Sequence, residues 1–238
     1  MLLPSGPRGE RSRRTFEAVR ELIVNGGMTP GQRIIETDLA ERLGVSRGAL
    51  RPALQQLHQE GLVVGNVPGR QTRLSVAPVT EADARELYYL AGDLEGLAAA
   101  WAADVAGPER TLAVDGMRDT NEQIRGLFES GRLRGDRLLE LDRAFHECYI
   151  SLGGGPRTRA LLDSLRPQLD RYARLYTRSY QDRVEESLGE HDVIVLAIES
   201  GDPERARCAV QDNWRRGAHQ LIQRIGTRGE IGPAGVEA

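Results

Sequence analysis

Residues 44–63, GVSRGALRPALQQLHQEGLV, decide how the chain is read. Ser46 stands where a helix N-cap belongs, and Leu50, Leu54 and Leu57 recur at the spacing of one helix face. Arg47 and Arg51, one turn apart, mark a different and basic edge. Pro52 lies inside the run. Counted from Ser46 it is the sixth helical residue, beyond the N–H groups that a helix start leaves unbonded. It removes the bond to the Gly48 carbonyl, which costs about 3 kcal/mol in a regular interior. The reading therefore expects a distorted or 3₁₀-like opening turn, its freed carbonyl open to solvent or a ligand.

Working outward from this stretch, Phe16, Val19, Leu22 and Ile23 mark a first amphipathic helix over about 12–25, stopped by Asn25-Gly26-Gly27. Pro30-Gly31 signals a turn. Thr37 is read as the cap of a short second helix, with Leu39, Ala40 and Leu43 inward and Gly44 ending it. After Gly61, Leu62-Val63-Val64 looks like a strand. Asn66 to Gly69 reads as a turn, and Thr72 to Val76 as the returning strand. Helix, tight turn, helix and hairpin make a winged helix-turn-helix. The helix start, with Arg47 and Arg51 on one side and the small Gly48 and Ala49 between them, suits a DNA major groove. Arg70 and Arg73 flank the wing.

Charge follows the same division. The net charge is −3, but residues 1–77 carry 11 Arg against 7 acidic residues and the remainder is acidic. A basic first third suggests a polyanion partner. There is no apolar run of membrane-spanning length and no secretory leader, and the two cysteines lack zinc-type spacing. The expectation is a cytoplasmic protein with no membrane partner.

From Thr80 the pattern is helical, with Leu87, Leu90, Leu94 and Leu97 taken as one face of a helix ending near Ala106. Further helices are expected at about 109–130, 134–152, 157–181, 184–200 and, after Asp202-Pro203, to Ile225. The fold class is mainly α: a winged helix-turn-helix over 1–77, an all-helical antiparallel bundle over 78–225 for effector binding and dimerisation, and a Gly-rich, aperiodic tail, 226–238, read as disordered.

The stretch PGQRIIETDLAERLGVSRGALRPALQQLHQEGLV resembles the GntR-family winged helix, whose pattern runs PG..L.E..LAE.LGVSR.P.R.AL..L..EGLV. The resemblance implies a transcription regulator, usually dimeric, that binds double-stranded, palindromic operator DNA under control of a small molecule. It implies DNA contacts at Thr37, Ser46, Arg47, Gly48, Ala49 and Arg51, and on the wing from Asn66 to Arg70. Pro52 stands where the family usually has Glu. The family's Arg-Gly pair in the wing appears as Arg70-Gln71.

The segments ELYYLAGDLEGLAAAWAA, LDRAFHECYISLGG and GEHDVIVLAIESGDPERA resemble the FCD effector domain of the FadR subfamily. That resemblance implies a divalent metal held by Asp142 and His146, which share one helix face at i,i+4, and by His191. The fourth family ligand falls on Asn213 instead of His. Zinc is the first expectation, with nickel or manganese as alternatives. The effector is expected to be a small carboxylate, contacted by Asn213 and by Arg174, the arginine singled out among Arg171, Arg174 and Arg178. Many relatives carry Arg where this chain has Ala91. Two alternatives stay open: an α-helical metal-dependent hydrolase, and a regulator whose bundle binds no metal.

Overall fold

The computed structural model describes residues 8–65, 73–176 and 182–228. Two compact units are present. The first comprises residues up to Thr80 together with Asp170–Leu175; the second comprises Glu81–Leu169 and Tyr176–Thr227.

In the first unit, α1 (Arg8–Val24), α2 (Glu36–Leu43) and α3 (Arg47–Gln59) accompany three short strands, β1 (Arg33–Ile34), β2 (Val63–Val64) and β3 (Leu74–Val76). The antiparallel sheet has the order β1-β3-β2, with Arg33 opposite Ser75 and Val63 opposite Val76. The strand β1 lies where the sequence showed only a turn signal; two residues are too few for an alternating pattern. Leu50, Leu54 and Leu57 are buried against Val19, Ile23, Leu39 and Leu43, so the three leucines of α3 form the centre of this core. Each contributes about 1.5–3 kcal/mol by leaving water.

Two local expectations are corrected. First, α3 is α-helical at every residue from Arg47 to Gln59, so the distorted opening turn expected at Pro52 does not form. Pro52 and Gly48 both lie on the exposed side, where water can satisfy the Gly48 carbonyl. The opposite face is held down by Leu50, Ala53, Leu54 and Leu57. Tertiary packing thus outweighs the local penalty. Second, Thr37 is not the cap of α2. The cap position is Ile35, and Thr37 sits in the first turn with its hydroxyl bonded to Asp38 at 2.9 Å. Gly44 ends α2 in the left-handed conformation (φ 67°), with Val45 N–H on the Ala40 carbonyl at 2.9 Å.

The second unit is made of α4 (Glu81–Asp104), α5 (Pro108–Glu129), α6 (Gly135–Gly153), most of α7 (Pro156–Leu175), α8 (Val184–Glu199) and all but the last residue of α9 (Pro203–Arg228). Asp202 caps α9, accepting from the Arg205 N–H at 3.0 Å. The last helix reaches Arg228, so residues 226–228 are helical rather than part of a tail; residues 229–238 lie outside the described residues. The turn 170–175 belongs to the first unit, where the Arg171 guanidinium donates to the Ala77 carbonyl and the Tyr172 hydroxyl accepts from the Thr80 N–H at 3.2 Å.

The face of α4 marked by leucines is corrected at Leu90, which is 44 % exposed, while Leu87 is buried and Leu94 packs against the core. The buried stripe runs through Ala84, Tyr88, Ala91, Glu95, Ala98 and Ala102. Small residues win because neighbouring helices come close. A Cβ on Gly92 would lie 2.8 Å from the Trp214 Cβ, and one on Gly153 would lie 2.0 Å from the Ala98 carbonyl oxygen. Helix α6 packs against α4 and α5, and α8 against α5 and α4. Among the described residues, no helix is long and apolar enough to cross a membrane.

Candidate functional site

Two constellations stand out. The first is the exposed start of α3. Ser46 has extended geometry and its hydroxyl accepts from the Ala49 N–H at 3.3 Å, which fixes the entry of the helix. Arg47 and Arg51 project from this end with side chains 57 % and 61 % exposed. A Cβ added at Gly48 would meet only the Ser46 hydroxyl, at 3.8 Å, so a partner can approach the backbone there. Both arginines face one carboxylate that the sequence reading missed. Glu36 Oε2 lies 2.9 Å from Arg51 Nε and 3.8 Å from Arg47 Nη2. That pairing engages Nε of Arg51 while its side chain stays exposed. Thr37 is exposed and Ala49 half-buried.

At the wing, Gly65 has φ 130°, and a Cβ there would overlap the Arg73 carbonyl oxygen at 2.1 Å. His58 holds the Gly65 carbonyl through Nε2 at 3.1 Å, tying the end of α3 to the hairpin. Asn66 and Arg70 lie outside the described residues.

The second constellation is buried in the helical unit. Asp142 and His146 on α6 and His191 on α8 bring one donor atom each to within 4.8 Å of one another. His191 Nε2 is 3.6 Å from Asp142 Oδ1. The protonation of both rings follows from their outer partners. Asn121 donates its amide N–H to Asp192 at 3.1 Å, so its oxygen faces His191 Nδ1 at 2.9 Å and accepts a hydrogen bond from the Nδ1–H. His191 Nε2 is therefore the unprotonated nitrogen. It is buried and has no hydrogen-bond partner. His146 Nδ1 meets Glu95 Oε2 at 2.6 Å, so its Nε2 is likewise turned from that carboxylate. Glu95 also accepts from the Tyr149 hydroxyl at 2.7 Å and from the Trp214 indole at 3.0 Å. Phe145 stacks on His191, with centroids 3.8 Å apart, and fixes the ring plane.

Electrostatics distinguish the two rings. Burial, with the neighbouring His146, holds His191 well below the usual histidine range, so it is neutral. Burial also works against a proton on His146, but the Glu95 carboxylate outweighs it and raises that histidine. Burial would raise Glu95; His146, Tyr149 and Trp214 reverse this and keep it ionised. Burial raises Asp142. An acceptor behind each imidazole holds Nδ1 and turns Nε2 toward the cluster, the arrangement that prepares histidine to bind a metal; His191 Nε2 is already bare, whereas a metal would displace any proton that Glu95 favours on His146 Nε2.

Beside this cluster is a cavity. Asp142, His146, His191 and Asn213 are among the residues that line it. The Asn213 amide donates to Glu190 at 2.9 Å. Arg174 is a correction: it is exposed, sits in the turn that belongs to the first unit and does not line the cavity. Among the described residues, the lining arginine is Arg183. Arg178 lies outside the described residues. Glu95 and Asn121 were missed, although one signal was available: Glu95 occurs at helical spacing within an otherwise small and apolar face.

Two family models match the chain. "Bacterial regulatory proteins, gntR family" matches residues 11–72, and "FCD domain" matches residues 86–216. The HTH-type transcriptional regulator YdhC of Bacillus subtilis is 27 % identical over 207 residues, 87 % of this chain and 88 % of the relative. An HTH-type transcriptional regulator from an unstable DNA locus of Streptomyces ambofaciens is 30 % identical over 220 residues, 87 % of this chain and 84 % of the relative. Among solved structures, E. coli McbR/YncC has the same fold, with a TM-score of 0.66 at 19 % identity over 90 % of this chain and 98 % of that one.

Proposed function

The chain belongs to the gntR family of bacterial regulatory proteins and carries an FCD domain, as in the FadR subfamily, and from that premise we propose how it is controlled. It is a DNA-binding transcription regulator, and its relatives are regulators rather than enzymes, which removes the hydrolase alternative. The proposal is that a divalent metal bound by Asp142, His146 and His191 anchors a small carboxylate effector, and that this effector changes operator affinity. The protein acts in the cytoplasm as a homodimer on a palindromic site, with half-sites spaced by one helical turn of DNA or a multiple of it.

The observation that supports the metal is His191 Nε2. It is buried, unprotonated and without a hydrogen-bond partner, and faces Asp142 Oδ1 at 3.6 Å. A buried acceptor with no donor costs stability unless something fills the site. One carboxylate oxygen and two imidazole nitrogens suit zinc, nickel or manganese. Bound there, the metal would supply a positive centre with open coordination positions for a carboxylate. Glu95 and Asn121 orient the two imidazoles, and Asn213 stands beside the open side.

On DNA, the start of α3 would offer backbone N–H groups to phosphate, and Arg47 and Arg51 would donate to guanine. The effector can act only by binding the operator-competent and operator-incompetent states with different affinity. The test is fluorescence anisotropy with a DNA fragment that the full chain selects from a random library. Removal of metal by a chelator should change the affinity, and restored zinc should reverse the change. An affinity indifferent to chelation in the wild type, and equal in His191→Ala, would refute metal control while leaving DNA binding intact.

A further inference from the structure

The cavity beside the histidine cluster is lined unevenly, and the unevenness bears on what fills it. At one end stand Asp142, His146 and His191. Away from them, Ile124 of α5, Leu138 of α6 and Val184 and Leu188 of α8 line the space, and all four belong to one buried apolar cluster. Leu221 of α9 and the rings of Tyr88 and Trp214 complete the apolar surface, the two rings meeting edge to face at 5.3 Å.

Positive charge is scarce there. Apart from the histidines, Arg183 is the only cationic side chain among the described lining residues. It is already engaged: its Nε donates to Glu186 at 3.0 Å and one Nη to Glu190 at 2.8 Å. Glu190 is itself 8 % exposed and takes the Asn213 amide on its other oxygen. An effector that captured Arg183 would strand the Glu190 carboxylate, nearly buried, with fewer partners.

Resting on the metal reading above, we propose that the effector is a monocarboxylate with an apolar body. Its one carboxylate binds at the metal end, and its body lies against Ile124, Leu138, Val184 and Leu188. A second carboxylate would be desolvated against these residues with no cation among the described lining residues but the engaged Arg183 to meet it, and a polyhydroxylated body would leave hydroxyls unbonded. Selectivity therefore comes from what the pocket withholds as much as from what it offers.

The test is isothermal titration of the zinc-loaded full chain with three six-carbon acids: hexanoate, adipate and gluconate. Zinc stoichiometry is measured first, on the same preparation. Hexanoate should bind at least about tenfold more tightly than adipate or gluconate, a difference of about 1.4 kcal/mol. Glu190→Gln, which keeps a partner for Asn213 but releases Arg183, should narrow the gap by improving adipate several-fold with little change for hexanoate. Circular dichroism and unchanged zinc uptake would certify that variant; if it fails to fold, the wild-type ranking decides alone. Loaded protein that prefers adipate or gluconate, or that binds none of the three, overturns this inference while leaving the metal reading intact. A chain that takes up no zinc, nickel or manganese overturns both.

Discussion

The two units each pair a cationic side chain with a carboxylate at close range, yet the pairs have different weight. Glu36 meets Arg51 at 2.9 Å with the arginine 61 % exposed, where solvent screens the attraction. Glu95 meets His146 at 2.6 Å with both side chains buried, where neither can be rehydrated if the other is lost. An exposed pair is worth about 0–1 kcal/mol, whereas removing one member of a buried pair costs about 3–5 kcal/mol. The surface pair can therefore be broken and remade when DNA arrives. The buried pair is fixed, and it aims an imidazole.

This contrast can be broken at several points. The largest effect is expected from Glu95→Ala, which leaves His146, Tyr149 and Trp214 facing an empty acceptor position. Chemical denaturation should show a loss of about 3–5 kcal/mol in the helical unit. Leu54→Ala should destabilise the winged helix by about 2–5 kcal/mol through the cavity it opens. Pro52→Ala should stabilise the same unit by up to about 3 kcal/mol, since it restores the bond to the Gly48 carbonyl in a helix already regular at that point. Arg51→Ala should leave the melting temperature nearly unchanged and weaken selected DNA by about 1–3 kcal/mol, read by anisotropy. The smallest effect belongs to Glu36→Gln. Its stability should change by less than about 1 kcal/mol, and the change should shrink further in high salt. A large, salt-independent loss in Glu36→Gln would mean that the two pairs are not different in kind.

The same division separates what was legible in the sequence from what was not. In the winged helix, Ser46, Gly44 and the three leucines of α3 act through local spacing, and local spacing is visible along a chain. The α-helices of the bundle were visible for the same reason, except that the helix expected to reach 181 ends at Leu175, with residues 177–181 outside the described residues. The inward face of α4 was misread at Leu90 because leucines draw attention, whereas close helix packing selects Gly and Ala. Pro52 was misread because its cost is local and its compensation is tertiary. Asp142 and His146 share a helix turn and could be grouped on sight. His191 and Asn213 joined them only through the family resemblance. Glu95 and Asn121 reach the histidines from 51 and 70 residues away, which no spacing rule reveals. Glu36 lies 15 residues from Arg51 and is brought to it only by the turn between α2 and α3. Arg174 shows the converse: helical spacing placed it on a face but could not say which unit that face belongs to.

The central claim is that the helical unit is organised around a metal, with His191 Nε2 waiting for it. The most direct measurement is the metal content of purified full-length chain after incubation with zinc, nickel or manganese and removal of excess, compared with His191→Ala. The account predicts one equivalent per chain in the wild type and a loss of most of it in the variant, with the fold retained by circular dichroism. A wild type that retains no metal, or a variant that retains as much as the wild type, would contradict it.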